Sequence, residues 1–458
     1  MDFDTAIIGG GQAGVPLARA LAGHGQRVAL IERIHLGGSC VNFGCTPSKA
    51  LIASAGIAHH ARAAHRLGVA VSGVSVDFKA VMDRARGLVR DAVASLDASF
   101  ANNAAPHLIR GHGRLAGSED GWFRVAIADR AIRARDVVLD TGTRSMMPEI
   151  DGLDTVPIVT AENWIDLDTL PRRLLVIGGS YLALEFSQAY ARLGAEVVIL
   201  QGGDALAERE DADISEAIRD ILVGEAIEVR LGVRILRVER AGQGVRVHLE
   251  GGTVEGTHLL VATGRRPNTD DLGLETLGVR TDPKGMIEVD ERLSSSVAGI
   301  WAAGDIRGGP AFTHTAYADF GVLEDQLAGR RARTTAGRIV PYAMFLDPEL
   351  GRVGMTEAQA RRAGYSVRIG RKQMATSGKA RETGQTNGFI KVVIDAATDR
   401  ILGASCLCDS GAELVQIFVA LMNAGATAQT MIDSVAIHPT LGEAAKNAVV
   451  DAAALKGA

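Results

Sequence analysis

Residues 6–32 read AIIGGGQAGVPLARALAGHGQRVALIE, and the chain repeats this pattern without a gap at residues 175–201, which read LVIGGSYLALEFSQAYARLGAEVVILQ. Each copy predicts a short buried strand, a glycine turn, an amphipathic helix that ends at a glycine (Gly25 or Gly194) and a second strand. A strand, a helix and a strand in this order form one βαβ unit. The chain is therefore predicted to contain two such units.

The glycine turn of the first copy is typical of a dinucleotide site. Gly9-x-Gly11-x-x-Gly14 follows the strand and opens the helix, and Glu32 ends the next strand. The glycines permit a tight turn and close approach of the backbone to a pyrophosphate, while the helix N-terminus supplies N–H donors. Glu32 is placed to accept hydrogen bonds from a ribose. The first copy therefore predicts a dinucleotide-binding unit.

The second copy departs from this pattern. It reads Gly178-x-Ser180-x-x-Ala183, and Gln201 takes the place of Glu32. Gln201 removes a carboxylate that would repel a 2′-phosphate, yet no arginine follows directly to bind one, so the choice between NADH and NADPH stays open. Two sites in one chain predict a flavin in one and a nicotinamide nucleotide in the other. The alternative is a second unit that binds nothing.

A close pair of cysteines follows the first unit. Cys40 and Cys45 lie in GGSCVNFGCTPSKAL, and a regular helix would rise about 7.5 Å between them. A disulfide needs closer Cα atoms, so the pair can close only where the chain is locally unwound, which the intervening Asn-Phe-Gly suits. Pro47 is predicted to start a helix whose dipole lowers the pKa of Cys45, and Lys49 projects from the same face. The alternative is two buried cysteines that never pair.

The segment GGSCVNFGCTPSK resembles the redox-active disulfide motif of the class I pyridine nucleotide–disulfide oxidoreductases, which include dihydrolipoamide dehydrogenase, glutathione reductase and mercuric reductase. VAIHPTLGEA (residues 435–444) is similar to the family's His-Pro-Thr-x-x-Glu motif, and AAGD (residues 302–305) to its second flavin motif. The resemblance covers essentially the whole chain. It implies an α/β fold with two Rossmann-like dinucleotide-binding domains, for FAD and NAD(P), and a C-terminal α+β dimerisation domain.

The resemblance also implies where the domains begin and end. Residues 1–145 and 264–333 would form a split FAD-binding domain, and residues 146–263 would be inserted as the NAD(P)-binding domain. Residues 334–458 would form the interface domain of a homodimer whose active site is shared between the two subunits.

The resemblance assigns residues to each cofactor and to catalysis, and it implies no metal site. The residues for FAD are Gly9, Gly11, Gly14, Glu32, Ser39, Lys49, Gly113, Thr141, Gly142, Asp305 and Thr313. The residues for NADH or NADPH are Gly178, Ser180, Tyr181, Gln201 and Gly264. The catalytic residues are Cys40, Cys45, Lys49, Glu185, His438 and Glu443.

In the implied reaction, electrons pass from NAD(P)H through FAD to the disulfide of Cys40 and Cys45. Tyr181 shields the flavin until the nicotinamide displaces it, and Glu185 pairs with Lys49. Cys45 becomes the thiolate next to the flavin, and Cys40 attacks the substrate. The histidine of the His-Pro-Thr motif in the other subunit protonates the leaving thiol, which suits a group that titrates near neutral pH.

The substrate is left open by the sequence. Mercuric reductase carries a vicinal cysteine pair near its C-terminus and lacks the His-Pro-Thr histidine, whereas this chain keeps His438 and ends in ALKGA. We therefore expect a disulfide or another small thiol-reactive electrophile, with mercuric ion reduction or dihydrolipoamide dehydrogenase activity as alternatives. A flavin redox sensor with slow turnover is the alternative of another class, and the complete catalytic set argues against it.

A second pair of cysteines, Cys406 and Cys408, lies in ILGASCLCDSG, which is typical of a strand. Both side chains would then face one side of the sheet. We expect them to be small packing residues. The alternative is an auxiliary redox or metal pair.

The composition of the chain limits its binding partners and its cellular location. The 458 residues carry a net charge of −5, which argues against nucleic acid or an anionic membrane as a general partner. No apolar run is long enough to span a membrane, and four cysteines are too few for a secreted disulfide scaffold. We therefore expect a cytoplasmic protein. Glycine is abundant, at 54 residues, and we expect many of them where the backbone passes a cofactor.

Overall fold

A computed structural model of the chain describes residues 1–101 and 106–454. The last four residues of the predicted interface domain therefore lie outside the described residues. In chain order, the strands are β1 Asp2–Ile8, β2 Val28–Glu32, β3 His107–Arg110, β4 Gly113–Glu119, β5 Trp122–Ile127, β6 Arg130–Leu139, β7 Thr143–Ser145, β8 Ile158–Val159, β9 Arg173–Ile177, β10 Glu196–Leu200, β11 Glu228–Arg230, β12 Ile235–Ala241, β13 Gly244–Leu249, β14 Gly252–Gly256, β15 His258–Val261, β16 Arg265–Pro267, β17 Ile300–Ala302, β18 Tyr342–Met344, β19 Glu349–Gly354, β20 Val367–Gln373, β21 Phe389–Asp395 and β22 Ile401–Cys408. The α-helices are α1 Gly14–Gly23, α2 Gly38–Asn42, α3 Cys45–Ala63, α4 Phe78–Ser99, α5 Tyr181–Leu193, α6 Ala212–Gly224, α7 Thr313–Leu327, α8 Glu357–Arg362, α9 Gly378–Thr383, α10 Gly411–Asn423, α11 Ala428–Asp433 and α12 Leu441–Ala454.

The first repeat forms β1, α1 and β2, which belong to the largest sheet. Its strand order is β3-β2-β1-β6-β5-β4, with β17 paired to β6. The strands β3, β2, β1, β6 and β17 run parallel, and β4 and β5 extend the sheet in antiparallel fashion. Because β17 follows the second repeat in the chain, this sheet is completed by a segment from beyond that repeat.

The second repeat forms β9, α5 and β10, which belong to a wholly parallel sheet of order β11-β10-β9-β15-β8. The apolar residues of β9 and β10 are buried, as expected for parallel strands that are covered on both faces. The helix α5 ends at Gly194, which adopts φ +118 as its C-cap, whereas α1 ends at Gly23, and Gly25 follows with φ +84. Both repeats therefore form the βαβ units that the sequence predicts.

The C-terminal part is an α+β layer. Its five-stranded antiparallel sheet has the order β18-β19-β22-β21-β20, with α10 packed on β19 and β22, and α12 packed on β20 and β21. The predicted fold class, two Rossmann-like domains followed by an α+β domain, is confirmed. The boundaries proposed between the domains stay a prediction.

Cys406 and Cys408 lie in β22, as expected, and both side chains are fully buried in the apolar core of this layer. Burial raises the pKa of Cys406 well above the usual range and that of Cys408 to about 12. Thiols held in the neutral form are poor nucleophiles and poor metal ligands. The surroundings of Cys406 and Cys408 therefore favour a role in core packing.

Candidate active site

The glycine turn of the first unit forms a tight cradle. Gly9 adopts φ +110, and a Cβ on Gly9 would collide with the carbonyl oxygen of Asp140, while a Cβ on Gly14 would collide with that of Gly9. The backbone N–H of Gly10 donates to Glu32 Oε2 over 2.7 Å, which holds the carboxylate at the turn. A cradle that only glycine can form, beside a fixed carboxylate, fits a pyrophosphate and its ribose.

A buried acid lies beneath this cradle. The Asp140 carboxylate accepts the backbone N–H of Gly14 at 2.8 Å. Burial raises the pKa of Asp140 well above its usual range, and the nearby carboxylates of Asp305 and Asp319 add to this shift. The raised pKa favours the uncharged carboxyl group, which repels a pyrophosphate less than a carboxylate does. Sequence reasoning missed this residue, and the only signal for it was an acid directly after the apolar last residues of β6, VVL.

The chain passes from the first large sheet to the second at β7 and returns at β16. These two connecting segments lie side by side, because β7 pairs with β16. Asn268 Nδ2 donates to the carbonyl oxygen of Thr141 over 2.8 Å, and Thr143 Oγ1 donates to Asp305 Oδ2 over 3.1 Å. Burial raises the pKa of Asp305. These contacts bring the predicted FAD residues Thr141 and Asp305 to the same edge of the first sheet.

The remaining predicted glycines lie where the backbone is constrained. Gly142 and Gly264, at the two crossings, adopt φ +64 and φ +130. Gly113 begins β4 so close to β2 that a Cβ would lie 3.0 Å from Ile31 Cγ2. Ser39 lies in α2, directly before Cys40.

The glycine turn of the second unit has a similar shape with different side chains. Gly178 adopts φ +118, and a Cβ there would collide with the carbonyl oxygen of Ala262. Ser180 is the N-cap of α5, and its side chain makes no capping hydrogen bond. The turn thus keeps the room and the helix N-terminus that a second dinucleotide needs.

A carboxylate that the sequence analysis did not predict lies beside the end of β10. Gln201 Nε2 donates to Glu208 Oε1 over 3.0 Å, so the Glu208 carboxylate lies next to the position that Glu32 occupies in the first unit. Glu208 follows Gln201 by seven residues in a loop, and no spacing rule connects the two positions. The sequence expectation that Gln201 leaves this place without a carboxylate is therefore incomplete.

As the sequence predicts, the segment from Cys40 to Cys45 is not one continuous helix. The helix α2 ends at Asn42, and α3 begins at Cys45, so Phe43 and Gly44 separate two helices. A Cβ on Gly44 would lie 2.8 Å from the Ser39 carbonyl oxygen and 3.1 Å from Cys40 Cα, which shows how sharply the chain folds back. Pro47 lies in the first turn of α3 and does not start it.

Both cysteines are free thiols in the structure, with Cys40 half-buried and Cys45 exposed. A hydrogen bond from the Cys40 thiol lowers the pKa of Cys45 to about 6, and the Thr313 hydroxyl, 3.2 Å from Cys45 Sγ, and the Lys49 charge act in the same direction. The same hydrogen bond, with burial, raises the pKa of Cys40. Cys45 is therefore the thiolate of the pair at neutral pH.

A salt bridge joins the two units beside this thiolate. Lys49 Nζ lies 2.7 Å from Glu185 Oε2, and Glu185 also accepts the backbone N–H of Phe345 at 2.8 Å. Glu185 is only 5% exposed, so this carboxylate is removed from bulk water. Tyr181, one turn earlier, is the first residue of α5. The glycine turn of the second unit therefore faces the segment that bears Cys45.

His438 and Glu443 are paired but lie apart from the cysteines within one chain. His438 Nδ1 lies 2.9 Å from Glu443 Oε2, and the imidazole is 73% exposed. Its neighbours Val435 and Ile437 are 97% and 77% exposed, which is unusual for large apolar side chains. In the described part of the chain, no hydrogen bond or ion pair links His438 to Cys40 or Cys45.

Comparison with known proteins identifies this arrangement. Residues 3–319 match the family described as pyridine nucleotide-disulphide oxidoreductase, and residues 340–449 match the dimerisation domain of the same family. The chain belongs to this family. The resemblance predicted from the motifs is confirmed, and the protein is an oxidoreductase that uses FAD and NAD(P)H. The dimerisation domain supports a homodimer. Among the described residues, no helix is long and apolar enough to cross a membrane.

The similarity extends over whole relatives. The probable pyridine nucleotide-disulfide oxidoreductase RclA of Escherichia coli is 34% identical over 96% of this chain and 97% of its own length. Dihydrolipoyl dehydrogenase of Chlorobaculum tepidum is 33% identical (98% and 97%), and mercuric reductase of Streptomyces lividans is 33% identical (97% and 95%). A solved Cu(II) complex of the HOCl-induced flavoprotein disulfide reductase RclA superposes with a TM-score of 0.89, at 32% identity over 98% of this chain and 99% of that chain.

Proposed function

We propose that the protein reduces a disulfide, or another small thiol-reactive electrophile, with electrons from NADH that pass through FAD and the Cys40–Cys45 pair. The observation that carries this proposal is the exposed Cys45 thiol at the first residue of α3, 3.2 Å from the Thr313 hydroxyl, in a chain turn that folds back on Cys40, and the Cys40 thiol lowers the pKa of Cys45. A thiolate beside a second thiol is the reduced form of a thiol–disulfide exchange centre. We also propose a cytoplasmic location, where such a pair is kept reduced.

The first glycine turn would hold FAD and the second the nicotinamide nucleotide. This assignment is supported by the contact of Thr313 with Cys45, since Thr313 begins α7, and α7 packs on α1 of the first unit. Bound FAD supplies a two-electron relay between the nucleotide and the thiol pair. The salt bridge from Lys49 to Glu185 fixes a positive charge near Cys45 and joins α3, which bears Cys45, to α5 of the second unit.

The two thiols would have different tasks. Cys40, whose pKa is raised, needs a base to become a nucleophile, and His438 of the partner subunit, oriented by that subunit's Glu443, is the proposed base. The Cys40 thiolate attacks one sulfur of the substrate, and the released thiolate takes the proton back from the histidine. The Cys45 thiolate then attacks the Cys40 sulfur of the mixed disulfide, which releases the second half of the substrate as a thiolate and leaves the Cys40–Cys45 disulfide.

Glu208 favours NADH over NADPH. Its carboxylate, held by Gln201, can accept hydrogen bonds from a ribose 2′-hydroxyl and would repel a 2′-phosphate.

Steady-state assays with lipoamide and glutathione disulfide, each with NADH and with NADPH, test the proposal. We expect disulfide-dependent oxidation of NADH, its loss in Cys40→Ser, and a fall of about a hundredfold or more in His438→Gln. Cys406→Ser, in the buried pair, is the matched control and should keep turnover. A flavin that NADH fails to reduce within seconds under anaerobic conditions would instead support a redox sensor.

Reduction of a thiophilic metal ion is the second candidate. It is favoured by the similarity to mercuric reductase and by the solved Cu(II) complex of RclA. Turnover that depends on Hg(II) or Cu(II), with none on disulfides, would replace the first proposal by this one.

A further inference from the structure

An aromatic stack runs from the second glycine turn to the loop beside Cys45. The Tyr181 and Tyr342 ring centroids lie 5.6 Å apart at 26°, and the Tyr342 and Phe312 centroids lie 5.5 Å apart at 9°. Phe312 directly precedes Thr313, whose hydroxyl contacts Cys45. In a chain with 4% aromatic residues, three stacked rings at one place are a concentrated feature.

A buried carboxylate holds the hydroxyl end of this stack. Glu210 Oε1 accepts the hydroxyl of Tyr181 at 3.1 Å and that of Tyr342 at 2.9 Å. Glu210 Oε2 accepts Arg352 Nε at 3.0 Å, and the side chains of Glu210 and Arg352 are 0% and 1% exposed. Burial and the Glu210 charge raise the pKa of Tyr181, so its hydroxyl stays protonated and donates.

We propose that Glu210 is a positioning residue that sets how readily Tyr181 moves aside when a nicotinamide enters. The proposal rests on the proposed function and on the role that the family resemblance implies for Tyr181, which shields the flavin until the nicotinamide displaces it. When Tyr181 moves, it loses its hydrogen bond to the Glu210 carboxylate and its stacking on the Tyr342 ring. The hydrogen bond is strong because Glu210 is buried, and the stacking adds to it. The closed position is therefore stabilised by residues outside the βαβ unit.

The source of this stabilisation lies in two distant segments of the chain. Glu210 lies in the loop between β10 and α6, whereas Tyr342 and Arg352 lie in β18 and β19 of the C-terminal sheet. Neighbouring ion pairs fix the same loop to that sheet, since Lys391 Nζ lies 3.1 Å from Asp211 Oδ2 and 3.0 Å from Asp213 Oδ2. The C-terminal layer thus contributes to the nucleotide site of its own chain.

Calorimetric titration of the oxidised holoenzyme with NAD⁺ and with ADP-ribose tests the proposal. ADP-ribose lacks the nicotinamide and has no need to displace Tyr181. Tyr181→Phe keeps the ring but removes the donor, so NAD⁺ is expected to bind about three- to tenfold more tightly, with unchanged affinity for ADP-ribose. Glu210→Gln, which keeps the shape and removes the charge, should shift NAD⁺ binding in the same direction.

Tyr190→Phe is the matched control. Tyr190 lies in the same helix, is buried, and its hydroxyl has no hydrogen-bond partner among the described residues, so its removal should leave both affinities unchanged. If Glu210→Gln does not fold without its charge partner for Arg352, Tyr181→Phe still decides.

An NAD⁺ affinity in Tyr181→Phe that is unchanged or weaker, or an equal change for ADP-ribose, overturns the inference. A wild-type flavin that neither NADH nor NADPH reduces overturns the proposed function instead. The two failures are therefore distinguishable.

Discussion

The two βαβ units start from the same sequence pattern and differ in what surrounds their turns. In the first unit, α1 begins at Gly14, and Glu32 closes the turn by accepting the N–H of Gly10. In the second unit, α5 begins at Tyr181, two aligned positions earlier, and Gln201 reaches outward to Glu208. The first turn is held by Glu32 of its own unit and, from beneath, by Asp140 after β6, while the second is completed by residues from a later loop and from the C-terminal sheet.

This difference teaches that a glycine turn specifies a dinucleotide without specifying which one. The shape of the turn comes from the backbone, which the two units share. The choice of ligand depends on side chains that the turn does not contain.

The largest expected effect comes from breaking each turn separately. Gly9→Ala and Gly178→Ala both place a Cβ against a carbonyl oxygen at a positive φ. We expect Gly9→Ala to purify with less than about a tenth of the wild-type flavin, and Gly178→Ala to keep its flavin but bind NADH at least about tenfold more weakly. Absorbance of the bound flavin and calorimetry measure the two outcomes.

Gly23→Ala, at the end of α1, and Gly224→Ala, at the end of α6, are the controls, because a Cβ at either position meets nothing within 4 Å. Equal loss of flavin in Gly9→Ala and Gly178→Ala would contradict the assignment of different ligands to the two turns.

A smaller effect is expected at the junction of the units, where Cys45 lies. Cys40→Ala removes the hydrogen bond that lowers the pKa of Cys45, so this pKa should rise from about 6 towards its usual range. Alkylation of Cys45 increases as pH rises through its pKa, because the thiolate is the nucleophile. At pH 6 the alkylation rate, followed by peptide mass spectrometry, should fall on the order of tenfold. Cys408→Ala should leave the profile unchanged, and an unshifted midpoint in Cys40→Ala would refute the role of Cys40 as donor.

The side chain that distinguishes the second turn should act on nucleotide preference. Glu208→Gln removes the charge that would repel a 2′-phosphate and keeps an acceptor for a ribose hydroxyl. We expect the ratio of kcat/KM for NADPH to that for NADH to rise about three- to tenfold. Glu216→Gln, an exposed position on α6, is the control. If the ratio stays the same, Glu208 does not distinguish a ribose 2′-hydroxyl from a 2′-phosphate.

The smallest effect on activity is expected outside both units. Cys406→Ala/Cys408→Ala should keep turnover within about twofold and lower Tm by a few degrees, because buried sulfur atoms are replaced by smaller groups. Thermal unfolding and steady-state rates measure the two effects. Loss of turnover with unchanged Tm would assign this pair an electron-transfer role and extend the site beyond the two units.

Much of the candidate site follows from local sequence. The glycine spacing, Glu32, and the break between Cys40 and Cys45 are determined by backbone geometry over a few residues, and the structure has these features where they are expected. The pairing of Lys49 with Glu185 was inferred from resemblance, because the two residues are far apart in the chain. Asp140, Glu208 and Glu210 were missed, since an acid in a strand end or a loop has no pattern of its own.

The sequence by itself determined that this chain forms two dinucleotide units and carries one close cysteine pair in a broken helix, because glycine turns, helix starts and apolar strands are encoded by neighbouring residues. Only the tertiary structure decided which groups surround those turns. The Glu208 carboxylate beside Gln201 and the contact of Glu210 with Arg352 join segments that are separated in the chain. Their charges act over a few ångströms of space, and that proximity exists only once the sheets are packed.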